Sequence, residues 1–269
     1  MKANTKKRRR KGRKKSGSSL GKWWGKQRRQ LKRLSIWMIA IAAILFAIHH
    51  FYPDFLGSLF PSTRSAASSS DYDGIDISKY QGKINWKKVK ANSKIKFVYI
   101  KATEGASLLD KKYKSNLKGA RDAGIPVGSY HFFTSHRSAK DQFANFKRHV
   151  PKNKQDLLPM VDVEEDGVRG CSRAKLQKSL DEFMQLVKKE YGKYPLLYCP
   201  LDFYNKMLAP EFNKYYIFIA RYGKSAPRLH GPGKHNIWQY SEKGRIDGIP
   251  NLVDLDKFEN GTSVRDIML

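Results

Sequence analysis

Eight short apolar runs, rich in β-branched and aromatic residues, recur between residues 74 and 255, and they constrain the fold of this chain more than any other feature. They cover 74–77, 96–100, 125–130, 157–163, 195–198, 216–220, 236–240 and 252–255, and each has the length and composition of a β-strand. Helical patterns lie between several of them, over 110–123, 138–150 and 172–191. The last places Leu176, Leu180, Phe183, Leu186 and Val187 at helical spacing behind Ser172, a suitable N-cap. Strand–helix alternation predicts a parallel sheet, and eight repeats in one domain predict a (β/α) barrel of the TIM type. After Tyr198 the connections shorten, so the later helices are expected to be reduced or missing.

The chain ahead of residue 74 has a different character. Residues 1–33 carry 16 Lys and Arg and no Asp or Glu, so this tail supplies +16 of the formal +29 and the remainder carries +13. Ile36 to Ile48 is uncharged and apolar, and 34–52 gives 19 residues, about the length of a bilayer-spanning helix. A cleaved secretory signal is the competing reading, but its basic region is normally a few residues rather than 33. The expected organisation is a basic cytoplasmic tail (1–33), a transmembrane helix (34–52), a flexible Ser-rich linker (53–73) and a barrel (74–269) on the non-cytoplasmic side of the inner membrane. The tail also resembles a nucleic-acid patch; beside a membrane span, topology setting and attraction to anionic lipid explain it more simply, and no specific nucleic acid is expected. Cys171 and Cys199 stand in no metal or redox spacing, and whether they pair is left open.

Within the barrel, the stretch Val161-Asp162-Val163-Glu164-Glu165 carries the chemistry. A strand alternates its side chains between two faces, so Asp162 and Glu164 project together while Val161 and Val163 turn away. Two carboxyls held close among apolar walls separate into an acid and a base near neutral pH, and glycoside hydrolysis needs such a pair. Barrels of this type place their sites at the C-terminal ends of the strands. The polar residues there are Asp76, Ser78, Lys101, Glu104, Tyr130, His131, Asp162, Glu164, Arg221, Tyr222, Gln239, Tyr240 and Asp254. Carboxyls beside aromatic rings suit a polysaccharide groove, because sugar rings offer apolar faces and hydroxyl edges. Each item has a structural alternative: Trp238 and Phe132 as core, Lys101 or Arg221 as the partner of a structural acid.

These residues resemble a known family. Gly74-Ile75-Asp76-Ile77-Ser78-Lys79-Tyr80-Gln81, followed by Ile84-Asn85-Trp86, is similar to the opening signature of glycoside hydrolase family 25, the lysozymes or N-acetylmuramidases. Matches continue in order at Ile100-Lys101-Ala102-Thr103-Glu104-Gly105, Gly128-Ser129-Tyr130-His131-Phe132, Asp162-Val163-Glu164, Ile219-Ala220-Arg221-Tyr222, Trp238-Gln239-Tyr240 and Val253-Asp254-Leu255. The resemblance implies an irregular barrel of five β/α units and three further strands. It implies cleavage, with retention, of the β-1,4 bond between N-acetylmuramic acid and N-acetylglucosamine. It also implies roles. Glu164 is the expected general acid and then base, Asp162 the residue that orients and charges the substrate's own acetamido group, a direct nucleophilic role for it being the family's other reading, and Asp76 and Asp254 the flanking acids. Tyr130, Arg221, Tyr222, Gln239 and Trp238 are expected along the substrate groove. Phe218 stands where the family often has Trp, and Asp256 where Asn is common.

The expected partner is therefore the peptidoglycan glycan strand, acted on by a monomer without metal or other cofactor: the chain has no phosphate-cradling glycine loop and no His at metal-ligand spacing. Two rivals come from other classes, a barrel that binds peptidoglycan without cutting it and a membrane-linked scaffold whose tail binds nucleic acid.

Overall fold

The computed structural model describes residues 72–269. The expected basic tail, the span 34–52 and nearly all of the linker lie outside the described residues. Among the described residues no helix is long and apolar enough to cross a membrane.

Among the described residues nine strands form: β1 (Gly74–Ile77), β2 (Phe97–Glu104), β3 (Leu108–Leu109), β4 (Val127–Phe132), β5 (Met160–Asp162), β6 (Leu196–Pro200), β7 (Ile217–Ala220), β8 (Ile237–Gly244) and β9 (Val253–Phe258). The helices are α1 (Trp86–Ala91), α2 (Tyr113–Asp122), α3 (Ala139–His149), α4 (Glu165–Val168), α5 (Arg173–Tyr191) and α6 (Leu201–Met207). Eight strands close into a ring in the order β1-β2-β4-β5-β6-β7-β8-β9, and β9 returns to β1. The two-residue β3 folds back on β2 outside the ring, a hairpin arm too short to show in the apolar pattern. Five strand–helix units come first, and β7, β8 and β9 follow without an intervening α-helix.

The expectation of an all-parallel sheet fails at β9, which runs antiparallel to both β8 and β1. Chain length explains it. Parallel neighbours need a crossover of a dozen or more residues, and 245–252 leaves only eight between β8 and β9. The 221–236 segment between β7 and β8 is twice as long, and there the pairing stays parallel although no helix is made.

Strand alternation builds two cores. Outward residues such as Ile75, Ile77, Val98, Ile100, Val161, Leu197 and Ile219 pack under the helices with Phe146, Leu180, Phe183 and Val187. Inward residues Phe97, Tyr99, Met160, Leu196, Phe218 and Ile237 fill the barrel, and Leu157, Leu158 and Ile267 close its floor. Each such side chain contributes about 1.5–3 kcal/mol by leaving water. The large rings of β2 fit because glycine faces them in register: Gly74 lies opposite Phe97, and Gly128 opposite Tyr99. A Cβ on Gly128 would stand 2.2 Å from the Tyr99 ring. The two long helices start where the sequence placed them, Ser138 Oγ accepting from Asp141 N at 3.1 Å and Ser172 Oγ from Lys175 N at 3.4 Å. Cys199 is buried, Cys171 is half-buried, and both thiols are free.

Candidate active site

A cavity of about 300 Å³ opens where the parallel strands end, above the aromatic layer of the barrel. Asp76 enters it from β1, Lys101 from β2, Tyr130 from β4, Asp162 and Glu164 from β5 and the residues just after it, Tyr198 from β6, and Gln239 from β8. Asp254 arrives from the opposite direction. Because β9 is antiparallel, its first residues lie at this mouth, and Asp254 pairs in register with Asp76. Glu164 keeps extended backbone angles (φ −127°, ψ 159°) before α4 begins, so the alternation that points Asp162 inward continues through it.

Burial is the largest influence on these acids. It pushes Asp162 well above its ordinary value, the neighbouring Glu164 carboxylate adding to the effect and Lys101 opposing it. Burial also raises Glu164, again with Lys101 pulling downward. Two carboxyls this close titrate as a unit, so the pair keeps a proton at pH values where a solvated carboxyl has lost its own. Asp162 Oδ1 is buried with no hydrogen-bond partner. Asp76 is raised by burial and then by Asp254, while a hydrogen bond from Gln239 works the other way. Asp254 is raised to about 6 by burial and by Glu242.

Lys101 is the one cation among the side chains lining this cavity. Its Nζ lies 2.9 Å from Glu104 Oε2 and 4.4 Å from the centre of the Phe132 ring. Glu104 thus holds the lysine rather than entering the site itself. Gln239 is the hub of the far wall. Its Oε1 accepts from the hydroxyls of Tyr198 at 2.9 Å and Tyr222 at 3.0 Å, and its Nε2 donates to Asp76 Oδ2 at 2.6 Å. At the rim Tyr80 and Tyr222 are 69% and 52% exposed, so two aromatic faces are open to a ligand.

Most residues singled out from sequence come together here: Asp76, Tyr130, Asp162, Glu164, Tyr222, Gln239 and Asp254 all line the cavity. Arg221 lines an adjoining one. Trp238 is a correction. Its neighbour Gln239 points inward, so strand alternation sends the indole outward; it is 4% exposed, donates from Nε1 to Arg221 O at 2.7 Å, and lies under Lys257 Nζ. His131 also turns away from the rim, stacked on Phe183 with ring centres 5.0 Å apart and hydrogen-bonded to Thr103 at 2.8 Å. Tyr80, Tyr198 and Glu242 were missed. Alternation along β6 was enough to find Tyr198, whereas Glu242 reaches the cavity only because β8 is irregular after Gln239. Among the described residues no group of three or more His, Cys, Asp or Glu side chains is placed to hold a metal ion.

A cleft with paired carboxyls, one lysine and open aromatic faces is suited to glycan hydrolysis, and comparison with known proteins agrees. The sequence profile described as Glycosyl hydrolases family 25 matches residues 75–249. Lysozyme M1 of Streptomyces globisporus is 31% identical over 216 residues, covering 76% of this chain and 72% of its own. Among solved structures, a family 25 glycosyl hydrolase from Bacillus anthracis superposes with a TM-score of 0.65 at 31% identity, over 71% of this chain and 90% of that one. A bacterial lysozyme from Streptomyces coelicolor gives 0.64 at 30% identity, over 73% and 95%. Sequence, barrel and cleft thus lead to one conclusion: the chain belongs to glycosyl hydrolase family 25 and is a glycoside hydrolase.

Proposed function

We propose that this protein is a peptidoglycan muramidase, a lysozyme that hydrolyses the β-1,4 bond between N-acetylmuramic acid and N-acetylglucosamine with retention. The observation that carries it is the Asp162–Glu164 pair, joined by Asp76 and Asp254 in one cleft. Glu164 gives its proton to the glycosidic oxygen as the C1–O bond breaks. Asp162 orients and charge-balances the substrate's 2-acetamido group, whose oxygen bonds to C1 in place of the leaving sugar. Glu164, now a base, takes a proton from water, which opens the ring intermediate and restores the acetamido group. The +13 charge of the chain after the tail suits an anionic wall polymer. Mass spectrometry of the products from a defined muropeptide tests the reading: a new reducing N-acetylmuramic acid end is expected, and binding to wall without any cleavage would mean a recognition barrel instead.

The basic tail and apolar segment support a second part of the proposal, a single-pass anchor with the barrel outside the cytoplasm. The protein should then sediment with membranes and resist a high-salt wash. Release as a soluble species beginning near Ala66 would mean a cleaved signal.

A further inference from the structure

A second cavity, of about 590 Å³, adjoins the first and falls within the roughly 300–1,000 Å³ of ligand pockets. Glu164, Tyr198 and Tyr222 belong to both walls, so the two make one continuous cleft. Pro200, Leu201, Asp202, Ala220, Arg221 and Arg228 complete the second.

Arg228 stands on the helix-free crossover between β7 and β8, and side chains pin the backbone around it. Asn205 Nδ2 donates to Arg228 O at 3.1 Å, and Asn205 Oδ1 accepts from His230 N at 2.8 Å. Asn213 Nδ2 donates to the carbonyls of His230 and Pro232 at 2.9 and 2.8 Å. The guanidinium of Arg228, by contrast, has no hydrogen bond, ion pair or ring contact among the described residues. The Arg221 guanidinium donates only to Ala226 O, at 2.8 Å, and has no carboxylate partner among the described residues either. Arg121 and Arg173 are matched with Asp156 at 3.0 Å and Glu211 at 2.7 Å; Arg137, Arg148, Arg245 and Arg265 lack a carboxylate partner among the described residues as Arg228 does, but none of them lines the active-site cleft. Against the two unmatched guanidiniums stand Asp202 and Glu164, and the reaction needs Glu164 in its protonated form. The wall therefore has a surplus of cation beside the reacting bond, presented as planar forks that match a carboxylate.

We propose that this cavity binds a carboxylate carried by the substrate's lactyl or peptide arm, with Arg228 as the specificity-determining contact and Arg221 beside it. This rests on the muramidase reading and refines it, since it makes the preferred substrate an acidic glycan strand. The muramic sugar bears a 3-O-lactyl group that ends either in its own carboxylate or in a peptide with carboxylates further out, and both sources offer the same chemistry.

The test measures kcat/KM of the full chain on three soluble glycans: strands with peptide, strands stripped to the free lactyl carboxylate, and stripped strands whose lactyl carboxylate has been amidated. Arg228→Gln is expected to lose about tenfold on one or both acidic substrates, the scale of one hydrogen bond to a charged group, and several-fold less on the amidated one. Arg228→Glu should lose more, through repulsion. Whichever acidic substrate responds identifies the carboxylate that is bound. Equal losses on all three substrates, or no loss on any, with folding confirmed by circular dichroism, would overturn the proposal while leaving the muramidase reading intact. If the unaltered protein cleaves none of the three, the muramidase reading falls and the proposal with it.

Discussion

Gln239 Nε2 lies 2.6 Å from Asp76 Oδ2, a hydrogen bond from the eighth strand to the first that spans 163 positions of sequence. With Tyr198 and Tyr222 donating to its carbonyl, this amide accepts two bonds and donates one, which fixes its orientation. Gln239→Leu keeps much of the volume but strands one carboxyl and two phenols. It should cost about 1–3 kcal/mol in urea unfolding and reduce turnover. A variant of unchanged midpoint would mean that water replaces the amide without loss.

Glu164→Gln should retain the fold and lose most hydrolysis, since an amide close in shape has no proton to give the leaving oxygen. General acid catalysis is worth roughly 10²–10⁴-fold. Turnover above about a tenth of the original, beside an unchanged circular dichroism spectrum, would move the role to another carboxyl.

If the acetamido group is the internal nucleophile, strands lacking the acetyl on the muramic nitrogen should be cut poorly, and the first product should be the β anomer. Early-time proton NMR reads both. An initial α anomer would require direct attack by water.

Asp256 is fully buried one layer below Asp254, with neither carboxylate oxygen hydrogen-bonded. Burial, then Asp76 and Asp254, push its carboxyl well upward. The sign follows from linkage. A raised acid keeps its proton in the folded state after the unfolded chain has lost it, so this stability is full below the unfolded pKa and is lost as pH rises through the folded one. Asp76, Asp162 and Glu164 act in the same direction, and for Asp254 the window runs from about 3.8 to about 6. The melting temperature should therefore be higher at pH 5 than at pH 8. Asp256→Asn should narrow that gap by about 3–5 °C for each pKa unit removed. An identical pH profile in the variant would show that Asp256 ionises normally.

Gly128→Ala brings a methyl group against Tyr99, whose ring is fixed by its hydroxyl bond to Leu158 O at 3.0 Å. Overpacking of this kind costs about 1–3 kcal/mol. Chemical denaturation should show the loss, and the double variant with Tyr99→Phe should recover little of it, because the ring edge rather than the hydroxyl is in the way.

Periodicity revealed a large part of this architecture because burial on one face of a strand or helix is a local property. The helix start at Ser172 and the shared face of Asp162 and Glu164 were visible for that reason, whereas the sequence marks Ser138 only as the beginning of a helical stretch and its capping bond comes from the structure. The direction of β9 was not, since it depends on how long the preceding connection is rather than on the strand's own residues. Glu242 was hidden by an irregular β8, and Trp238 was assigned to the groove by motif, although its parity with Gln239 already argued against it. Arg228 lies in a loop whose shape depends on Asn205 and Asn213, at separations no short pattern can express.

The antiparallel strand β9 also makes the site a reporter of barrel closure. Asp76 comes from the first strand of the barrel and Asp254 from the last, and neither the ring nor its group of acids exists until β9 has slid between β8 and β1. A nascent or prematurely terminated chain that stops before Val253 carries Asp162 and Glu164 but has an open seam where the opposing wall belongs. Catalytic competence is thus withheld until β9 has been made and inserted, and fragments that stop short of it should be inert rather than weakly active.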